Sequence, residues 1–466
     1  MSKMYRVEPR LDGDVNVGST GEGNRVLLGA LAESGAPRKV WFNTSKEFVT
    51  LIIGKRGSGK SYTLGSLLEG LAATSPANSI SEIDRGRAVL LLDPMGNFWT
   101  TAIPVRPDGP PKVRAQWDQV RQWGCQPEEL DVTVWMPAGF RRPTDPPGVR
   151  DFAIRVCDLD ARDWADLLGT NLVRDPQGIA LGDAFLSVTQ EGWHDGHRPV
   201  GAKKNYEIAD LVAYLEHQKS LGEHSDHAPQ TLRALIRTLR GYERLALFSS
   251  AGTPLAELLR ERSLSVLMLP FRIGHDLRRV ITRVLIRRIL REREFSSQVK
   301  QRLDVDRLDE ATTAQLKAAL AKSIPKTIVA IDEAQELLGE EGDEAKQALE
   351  DFCLLGRNYG LSLILATQRP TTTALSVRVL SQVDSYVIHR LLTQEDLETA
   401  RKNLLAPYPD SVNLAAKSLE FEELLRGLDI GQAVVTSSNM TANGSPPRSF
   451  IIAVRPRITV HGGEVE

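Results

Sequence analysis

Uninterrupted apolar runs recur along the chain and alternate with segments in which apolar residues follow a helical spacing. The runs with the composition of strands buried on both faces are VTLII (49–53), AVLLL (88–92), LSVLMLP (264–270), TIVAI (327–331) and LSLILAT (361–367). Leucines at positions 64, 67, 68 and 71 indicate a helix soon after the first run. The pattern therefore predicts an α/β fold with a mainly parallel central sheet.

The loop between the first run and this helix carries a phosphate-binding pattern. Residues 54–61, GKRGSGKS, fit G-x-x-x-x-G-K-[ST]. Its glycines allow main-chain N–H groups to point at a phosphate chain, while Lys60 reaches the β- and γ-phosphates and Ser61 contacts Mg²⁺. A chance glycine turn is the alternative, but the strand before the loop and the helix after it favour nucleotide binding. The predicted nucleotide-binding residues are Gly54, Gly57, Ser58, Gly59, Lys60, Ser61, Tyr62, Asp93 and Arg369.

A second motif follows the run TIVAI, which ends in Asp332 and Glu333. Ligands of open α/β sheets bind at the carboxyl ends of the strands. There Asp332 would hold Mg²⁺ through water, together with Ser61, and Glu333 would act as the general base that polarises the attacking water. The alternative is an ordinary strand-to-helix turn with Asp332 as N-cap, and the presence of the phosphate-binding loop favours the catalytic interpretation.

The run LSLILAT is followed by Gln368 and Arg369, which we expect beside Asp332. The polar tip of this strand would contact the γ-phosphate or the attacking water and sense hydrolysis. Arg357 precedes the strand, and a planar cation near a nucleotide stabilises the charge of the transition state. For each arginine, a surface or structural ion pair is the alternative. The predicted catalytic residues are Lys60, Glu333, Arg357 and Gln368.

Two further segments leave their roles open. The predicted helix DLRRVITRVLIRRILRERE (276–294) carries seven arginines beside an apolar stripe. It presents either a solvated face with glutamate partners or a face toward DNA or a neighbouring subunit. Residues 192–229 hold five of the eight histidines, but no cysteine or carboxylate cluster frames them as a metal site. We interpret this second segment as a solvated, mobile insertion.

Composition restricts the possible partners and location. The 466 residues are 41% hydrophobic and 25% charged, an ordinary globular balance, and the net charge of −2 provides no global basic field. Any DNA-binding surface is therefore local. The three cysteines indicate no disulfide framework, the chain contains no apolar stretch of membrane-spanning length, and the N-terminus does not resemble a signal peptide. We expect a cytoplasmic protein without a membrane partner.

The motifs together resemble the HerA family within the HerA/FtsK group of RecA-like P-loop motor ATPases. The resemblance rests on the phosphate-binding loop, on LLLDPMGNF (90–98), on IDEAQELL (331–338), on GRNYG (356–360) followed by TQRP (367–370), and on RPRITVHGG (455–463). It implies a RecA-like fold and a homo-hexameric ring that moves double-stranded DNA with ATP and Mg²⁺. It also implies that Arg357 reaches the ATP of the neighbouring subunit and that the C-terminal segment braces against that subunit.

The chain departs from the family pattern at several positions. Met95 and Asn97 stand where the family has His and Glu, and Gln335 stands where it has His. The part before Gly54 is about half as long as the family's N-terminal β-barrel. Phe48 stands where a basic residue is expected before the first strand, and Lys46 nearby is the candidate substitute. We therefore expect a ring that assembles differently or relies on a partner, either a nuclease or another effector protein.

The sequence leaves two functions open. The first is a DNA translocase or helicase of HerA type, and the alternative is an ATPase scaffold that recruits and gates a separate effector in an antiphage defence complex. The predicted parts of the chain are a small β-rich N-terminal cap (1–48), the first part of the ATPase core (49–105), an α/β and helical insertion (106–262), the second part of the core (263–440) and a C-terminal brace (441–466).

Overall fold

The computed structural model describes residues 3–18, 23–33, 38–75, 78–83, 86–338, 344–369, 375–415, 417–443 and 445–463. The strands are β1 (Arg6–Glu8), β2 (Val15–Gly18), β3 (Arg25–Leu31), β4 (Lys39–Asn43), β5 (Val49–Ile53), β6 (Ser81–Glu82), β7 (Ala88–Asp93), β8 (Val132–Pro137), β9 (Arg150–Phe152), β10 (Ile154–Arg155), β11 (Trp193–His194), β12 (Pro199–Val200), β13 (Phe248–Ser249), β14 (Leu264–Met268), β15 (Thr327–Ile331), β16 (Leu361–Thr367), β17 (Ser385–Ile388), β18 (Ser411–Leu414), β19 (Lys417–Ser418), β20 (Gln432–Ser437), β21 (Met440–Ala442) and β22 (Phe450–Val454). The α-helices are α1 (Lys60–Ala72), α2 (Pro111–Gln122), α3 (Ala161–Leu168), α4 (Pro176–Leu186), α5 (Ile208–Ser220), α6 (Pro229–Glu243), α7 (Leu255–Leu258), α8 (His275–Val305), α9 (Glu310–Ala321), α10 (Gln335–Leu338), α11 (Glu344–Leu355), α12 (Val377–Leu380), α13 (Gln394–Lys402) and α14 (Phe421–Gly427).

The chain divides into two compact units. Unit 1 comprises Met1–Val134, Leu258–Pro270 and Ile289–Glu466, and unit 2 comprises Trp135–Glu257 and Phe271–Arg288. Strand β8 and helix α8 have residues in both units. Helix α2 and the start of β8, which follow residue 106, belong to unit 1. The predicted division of the chain into a cap, an insertion and two parts of the core stays a prediction.

A mainly parallel sheet forms the centre of unit 1. Its strands follow the order β21-β2-β4-β3-β22-β20-β17-β5-β16-β15-β7-β14. The strands from β17 to β14 are parallel neighbours, and every residue of β5, β7, β14, β15 and β16 is buried. The five apolar runs of the sequence therefore correspond to these five strands, with β7 extending one residue further to Asp93, and the predicted fold class is confirmed.

The two ends of the chain also belong to this sheet. Strands β2, β3 and β4 of the predicted N-terminal cap pair within it, and β22 lies between β3 and β20. Beyond β22, the carboxylate of Glu69 on α1 accepts hydrogen bonds from Arg455 at 3.2 Å and from Arg457 at 2.9 Å, and all three side chains are buried. The predicted C-terminal brace is thus bound to α1 of its own chain up to Thr459, and its contact with a neighbouring subunit stays a prediction.

Helices dominate unit 2. Helices α3, α4, α5 and α6 pack on one another, and their apolar spacing places Leu211, Leu215, Leu232, Leu235 and Leu239 in a buried core. The interpretation of 192–229 as a mobile, solvated insertion is wrong for Ile208–Ser220, because this stretch forms α5 with a buried apolar face.

In the part of α8 that lies in unit 2, ion pairs with aspartates are made by Arg283, Arg287 and Arg288. Buried Arg283 donates to Asp163 and Asp166 at 2.6 Å each, and Arg287 pairs with Asp160 and Asp163. A solvated face with glutamate partners is therefore wrong for these residues.

Within the described part of the chain, no helix combines the length and the apolar content needed to cross a membrane.

Candidate functional site

The register of the central strands brings the predicted polar residues to one edge of the sheet in unit 1. Ile53 at the end of β5 is paired with Thr367 at the end of β16, and Ile331 at the end of β15 is paired with Leu365 of β16 and with Leu92 of β7. The residues that follow these strands are consequently neighbours. They include Gly54, Asp332, Glu333 and Gln368.

The phosphate-binding loop has the backbone geometry that its glycines allow. Gly57 has φ 74° and Gly59 has φ 111°, a region that side-chain-bearing residues rarely adopt. At Gly54 an added Cβ would lie 2.4 Å from Ser58 Oγ, so no larger residue fits there without a shift. Helix α1 begins at Lys60 and has no acidic residue in its first turn, which leaves its positive N-terminal end available to an anion.

Glu333 is held by three side chains. Its Oε1 lies 3.4 Å from Lys60 Nζ and accepts a hydrogen bond of 2.8 Å from Gln368 Nε2. Its Oε2 accepts a hydrogen bond of 2.7 Å from Gln335 Nε2. The backbone of Glu333 has φ 43°, a conformation that costs about 1 kcal/mol for a residue with a side chain and is common at active sites. The predicted catalytic groups Lys60, Glu333 and Gln368 are therefore in direct contact.

The two residues predicted to hold Mg²⁺, Ser61 and Asp332, are in contact. The Ser61 hydroxyl lies 3.0 Å and 3.2 Å from the two carboxylate oxygens of Asp332. Burial, with the nearby charges of Glu333 and Asp93, raises the pKa of Asp332 to about 7, so a cation here would stabilise its ionised form. The atoms that would bind the metal are the hydroxyl oxygen of Ser61 and the carboxylate oxygens of Asp332, and Mg²⁺ prefers oxygen ligands. Among the described residues no cluster of three His, Cys, Asp or Glu side chains could hold a metal alone, so phosphate and water oxygens would complete the coordination.

Asp93 shapes the turn after β7. Its buried carboxylate accepts main-chain hydrogen bonds from Met95, Gly96 and Phe98 at 3.1, 2.8 and 2.8 Å. Burial raises the pKa of Asp93 to about 6, and these hydrogen bonds oppose the increase. The turn that carries the departures Met95 and Asn97 is thus fixed by main-chain contacts, and a contact of Asp93 with the nucleotide stays a prediction.

Three predicted residues lie apart from these contacts. The Tyr62 hydroxyl accepts a hydrogen bond of 2.9 Å from the main chain of Arg457, so its ring faces the C-terminal segment. The side chain of Arg369 is exposed. Arg357 donates to Asp384 Oδ2 at 2.8 Å, and the same oxygen accepts the N–H of Val49, the first residue of β5. Arg357 therefore lies at the edge of the sheet opposite the phosphate-binding loop.

Sequence reasoning assigned no role to two residues that the structure brings to this site. Gln335 links Glu333 to the tip of β16, because its Oε1 accepts a hydrogen bond of 2.8 Å from Thr367. His389 lies behind the phosphate-binding loop, where its ring contacts Thr63 of α1. His389 directly follows the apolar run SYVI, and the reasoning that selected Asp332 after TIVAI would have selected it as well.

The chain is similar to solved structures with this fold. VirB4 of Thermoanaerobacter pseudethanolicus is 16% identical, with a TM-score of 0.50 over 94% of this chain and 98% of that chain. The bacterial conjugative coupling protein TrwBdeltaN70 is 13% identical, with a TM-score of 0.41 over 89% and 87% of the two chains. The first of these likenesses supports the P-loop ATPase fold. A comparison with curated protein sequences gives no match.

A protein-family model provides the stronger evidence. The model described as "Helicase HerA, central domain" matches residues 35–289, which is more than half of the 466-residue chain. The match includes the phosphate-binding loop and β7, and it ends before the Asp332–Glu333 pair. That pair directly follows β15, the strand adjacent to β7. The chain therefore belongs to the family of the HerA helicase central domain.

Proposed function

We propose that this ATPase uses the energy of ATP hydrolysis to move double-stranded DNA, as an oligomeric ring of HerA type. The observation that carries the enzymatic part is the position of Glu333, held between Lys60 and Gln368 beside the Ser61–Asp332 pair. A carboxylate fixed next to the phosphate-binding lysine is well placed to accept a proton from the attacking water. The family description as a helicase supports the DNA part.

In the proposed reaction each residue has a distinct task. Main-chain N–H groups of the loop bind the phosphates, and Lys60 leaves Glu333 to contact the β- and γ-phosphate oxygens. Glu333 then accepts the proton of the attacking water, while Gln368 orients that water and the γ-phosphate. Mg²⁺, when bound through Ser61 and Asp332, neutralises developing charge on the phosphate oxygens.

Arg357 supports an oligomeric arrangement. The phosphate-binding loop follows β5, and Arg357 is bound near the first residue of that strand, about 16 Å away for five extended residues. The ATP of its own subunit would therefore lie far from the Arg357 side chain. Leu354 and Leu355 beside it are 43% and 44% exposed, which fits a surface covered by another copy. We propose a hexamer, as the family resemblance implies, with Arg357 acting on the neighbouring subunit's ATP.

A basic stripe on α6 is our candidate for local DNA contact. Arg233, Arg237 and Arg240 lie on α6, and Arg244 directly follows the helix. Their i, i+4, i+7, i+11 spacing places them on one face, and all four are exposed. Arg240 is paired with Glu216. The other three are available to phosphates despite the chain's net charge of −2. A nuclease or another effector protein stays part of the proposal as the partner.

The affinity for duplex DNA should depend strongly on salt. Contacts to six to ten phosphates would give a slope of log affinity against log salt of roughly −5 to −9. Replacing Arg233, Arg237 and Arg244 together by Ala should make the slope less negative by about 3, one unit per lost contact. Fluorescence anisotropy with a labelled duplex at several salt concentrations measures both values.

Arg302→Ala is the matched control for this experiment, because Arg302 is an exposed arginine that pairs with Asp306 outside the stripe. It should leave the slope unchanged. An affinity for duplex DNA that does not change with salt in the unmodified protein would contradict binding through phosphate contacts and favour the scaffold function. A steep slope that the triple replacement leaves unchanged would reject only the stripe.

A further inference from the structure

His389 occupies a fixed position behind the phosphate-binding loop. It follows the last residue of β17, and its main-chain N–H donates to the carbonyl of Ile53, the last residue before the loop, at 2.8 Å. Its side chain is fully buried. An imidazole between the strand ends is thus packed directly against the loop that binds phosphate.

The ring nitrogens of His389 connect two other segments. Nδ1 lies 2.9 Å from the carbonyl oxygen of Gln432, and Nε2 lies 2.9 Å from the hydroxyl of Thr63 on α1. A carbonyl oxygen can only accept a hydrogen bond, so Nδ1 carries the proton and Nε2 accepts from Thr63. Burial, together with the charge of Lys60, lowers the pKa of His389 to about 4, although the hydrogen bond to the Gln432 carbonyl opposes this decrease. The ring is consequently neutral and keeps one tautomer near neutral pH.

His389 packs closely against two glycines of the loop. An added Cβ at Gly54 would lie 2.7 Å from His389 Cβ, and one at Gly59 would lie 3.4 Å from His389 Cε1. The Cβ at Gly59 would also lie 3.3 Å from the main-chain nitrogen of Gly431. His389 therefore packs against Gly54 through its Cβ and against Gly59 through its ring, beside Gly431 of the segment that precedes β20.

We propose that His389 is a positioning residue that holds the phosphate-binding loop in its phosphate-ready shape, by joining Thr63 of α1 to the carbonyl of Gln432. This inference rests on the proposed ATPase function and extends it to a residue that does not touch the nucleotide. It assigns Thr63 the matching role on the helix, because its hydroxyl is the donor to Nε2. Loss of either group should weaken ATP binding more than it slows the chemical step.

The test compares steady-state kinetics with ATP across matched variants. Thr63→Val keeps the shape of the side chain and removes the donor, and it should raise KM for ATP about tenfold with a smaller change in kcat, as expected for one lost buried hydrogen bond. His389→Ala should raise KM further. His389→Gln can present an acceptor to Thr63 and His389→Asn can present a donor to Gln432, so each should recover part of the loss.

Ser385→Ala is the structural control. Ser385 begins the same strand β17, is buried, and hydrogen bonds to Ser437 at 2.9 Å at the end remote from the loop. It should lower the urea midpoint of unfolding without changing KM. The inference is overturned if Thr63→Val keeps a KM within twofold of the unmodified protein, or if Ser385→Ala raises KM equally. Absence of ATP binding by the unmodified protein, with Lys60→Ala as the non-binding reference, would instead overturn the proposed function.

Discussion

Replacing Glu333 by Gln should stop ATP turnover while ATP binding is retained. Glutamine has the same shape, and its amide can still contact Gln368 and Gln335. In the unmodified protein the side-chain amides of these two residues donate to the Glu333 carboxylate at 2.8 and 2.7 Å. It cannot accept the proton of the attacking water, and a lost general base costs about 10² to 10⁴ in rate. Lys60→Ala, by contrast, should abolish tight binding, because the loop loses its cation at the phosphates.

A binding titration with a fluorescent ATP analogue and a phosphate-release assay measure the two effects separately. Glu336→Gln is the matched control. Glu336 lies three residues further along the chain, and the side chains that hold Glu333 are those of Lys60, Gln335 and Gln368. It should bind and hydrolyse ATP normally. Hydrolysis by the Glu333→Gln variant at close to the normal rate would show that another group removes the proton.

Replacing Arg357 by Ala should cut hydrolysis by about 10³ to 10⁵, the contribution of an arginine finger supplied by a neighbouring subunit. Binding of ATP to each subunit should be nearly unchanged, because Arg357 is anchored to Asp384 at the far edge of the sheet. Its side chain is 38% exposed, so part of it remains accessible to a neighbour. Arg378→Ala is the control, an arginine on α12 that is 66% exposed and pairs with Glu350.

Mixing the Arg357→Ala and Glu333→Gln proteins separates a finger from a structural ion pair. In mixed rings some interfaces join an intact Glu333 to an intact Arg357, and these interfaces should hydrolyse ATP. Native mass spectrometry establishes that mixed rings form. If such rings remain as inactive as either parent, Arg357 acts within its own subunit or only stabilises it through Asp384.

The central sheet and the grouping of polar residues at one of its edges could be predicted from the sequence, because both depend on local signals. Runs buried on both faces are continuous in apolar residues, and a parallel sheet places the residues after each run at one edge. Lys60, Ser61, Asp332, Glu333 and Gln368 therefore lie together as predicted.

Contacts between residues far apart in sequence could not be predicted in this way. Glu69 on α1 is paired with Arg455 and Arg457 near the other end of the chain, and no spacing rule connects such positions. The same holds for Arg283 and Asp163 in unit 2, where periodicity indicated a helix with arginines but could not identify their partners. Both side chains are buried, and a buried ion pair is recognised from the folded structure and not from a spacing in the sequence.

The placement of Arg357 has a similar explanation. The sequence located it before β16, which already indicated the edge opposite the phosphate-binding loop. Its partner Asp384 precedes β17, and the pairing became visible only once β17 was known to lie beside β5. Sequence order alone does not give that neighbour, because the strand order of a parallel sheet differs from the chain order.

The central claim, that ATP hydrolysis moves this protein along duplex DNA, is tested most directly by displacement of a third strand. A labelled oligonucleotide is bound as a triplex on a linear duplex, and its release is followed after addition of the protein and ATP. The unmodified protein should release the strand only when ATP is hydrolysed, and the Glu333→Gln variant should bind the duplex without releasing it. Hydrolysis of ATP by the unmodified protein without any release of the strand would contradict translocation and leave the scaffold function as the explanation.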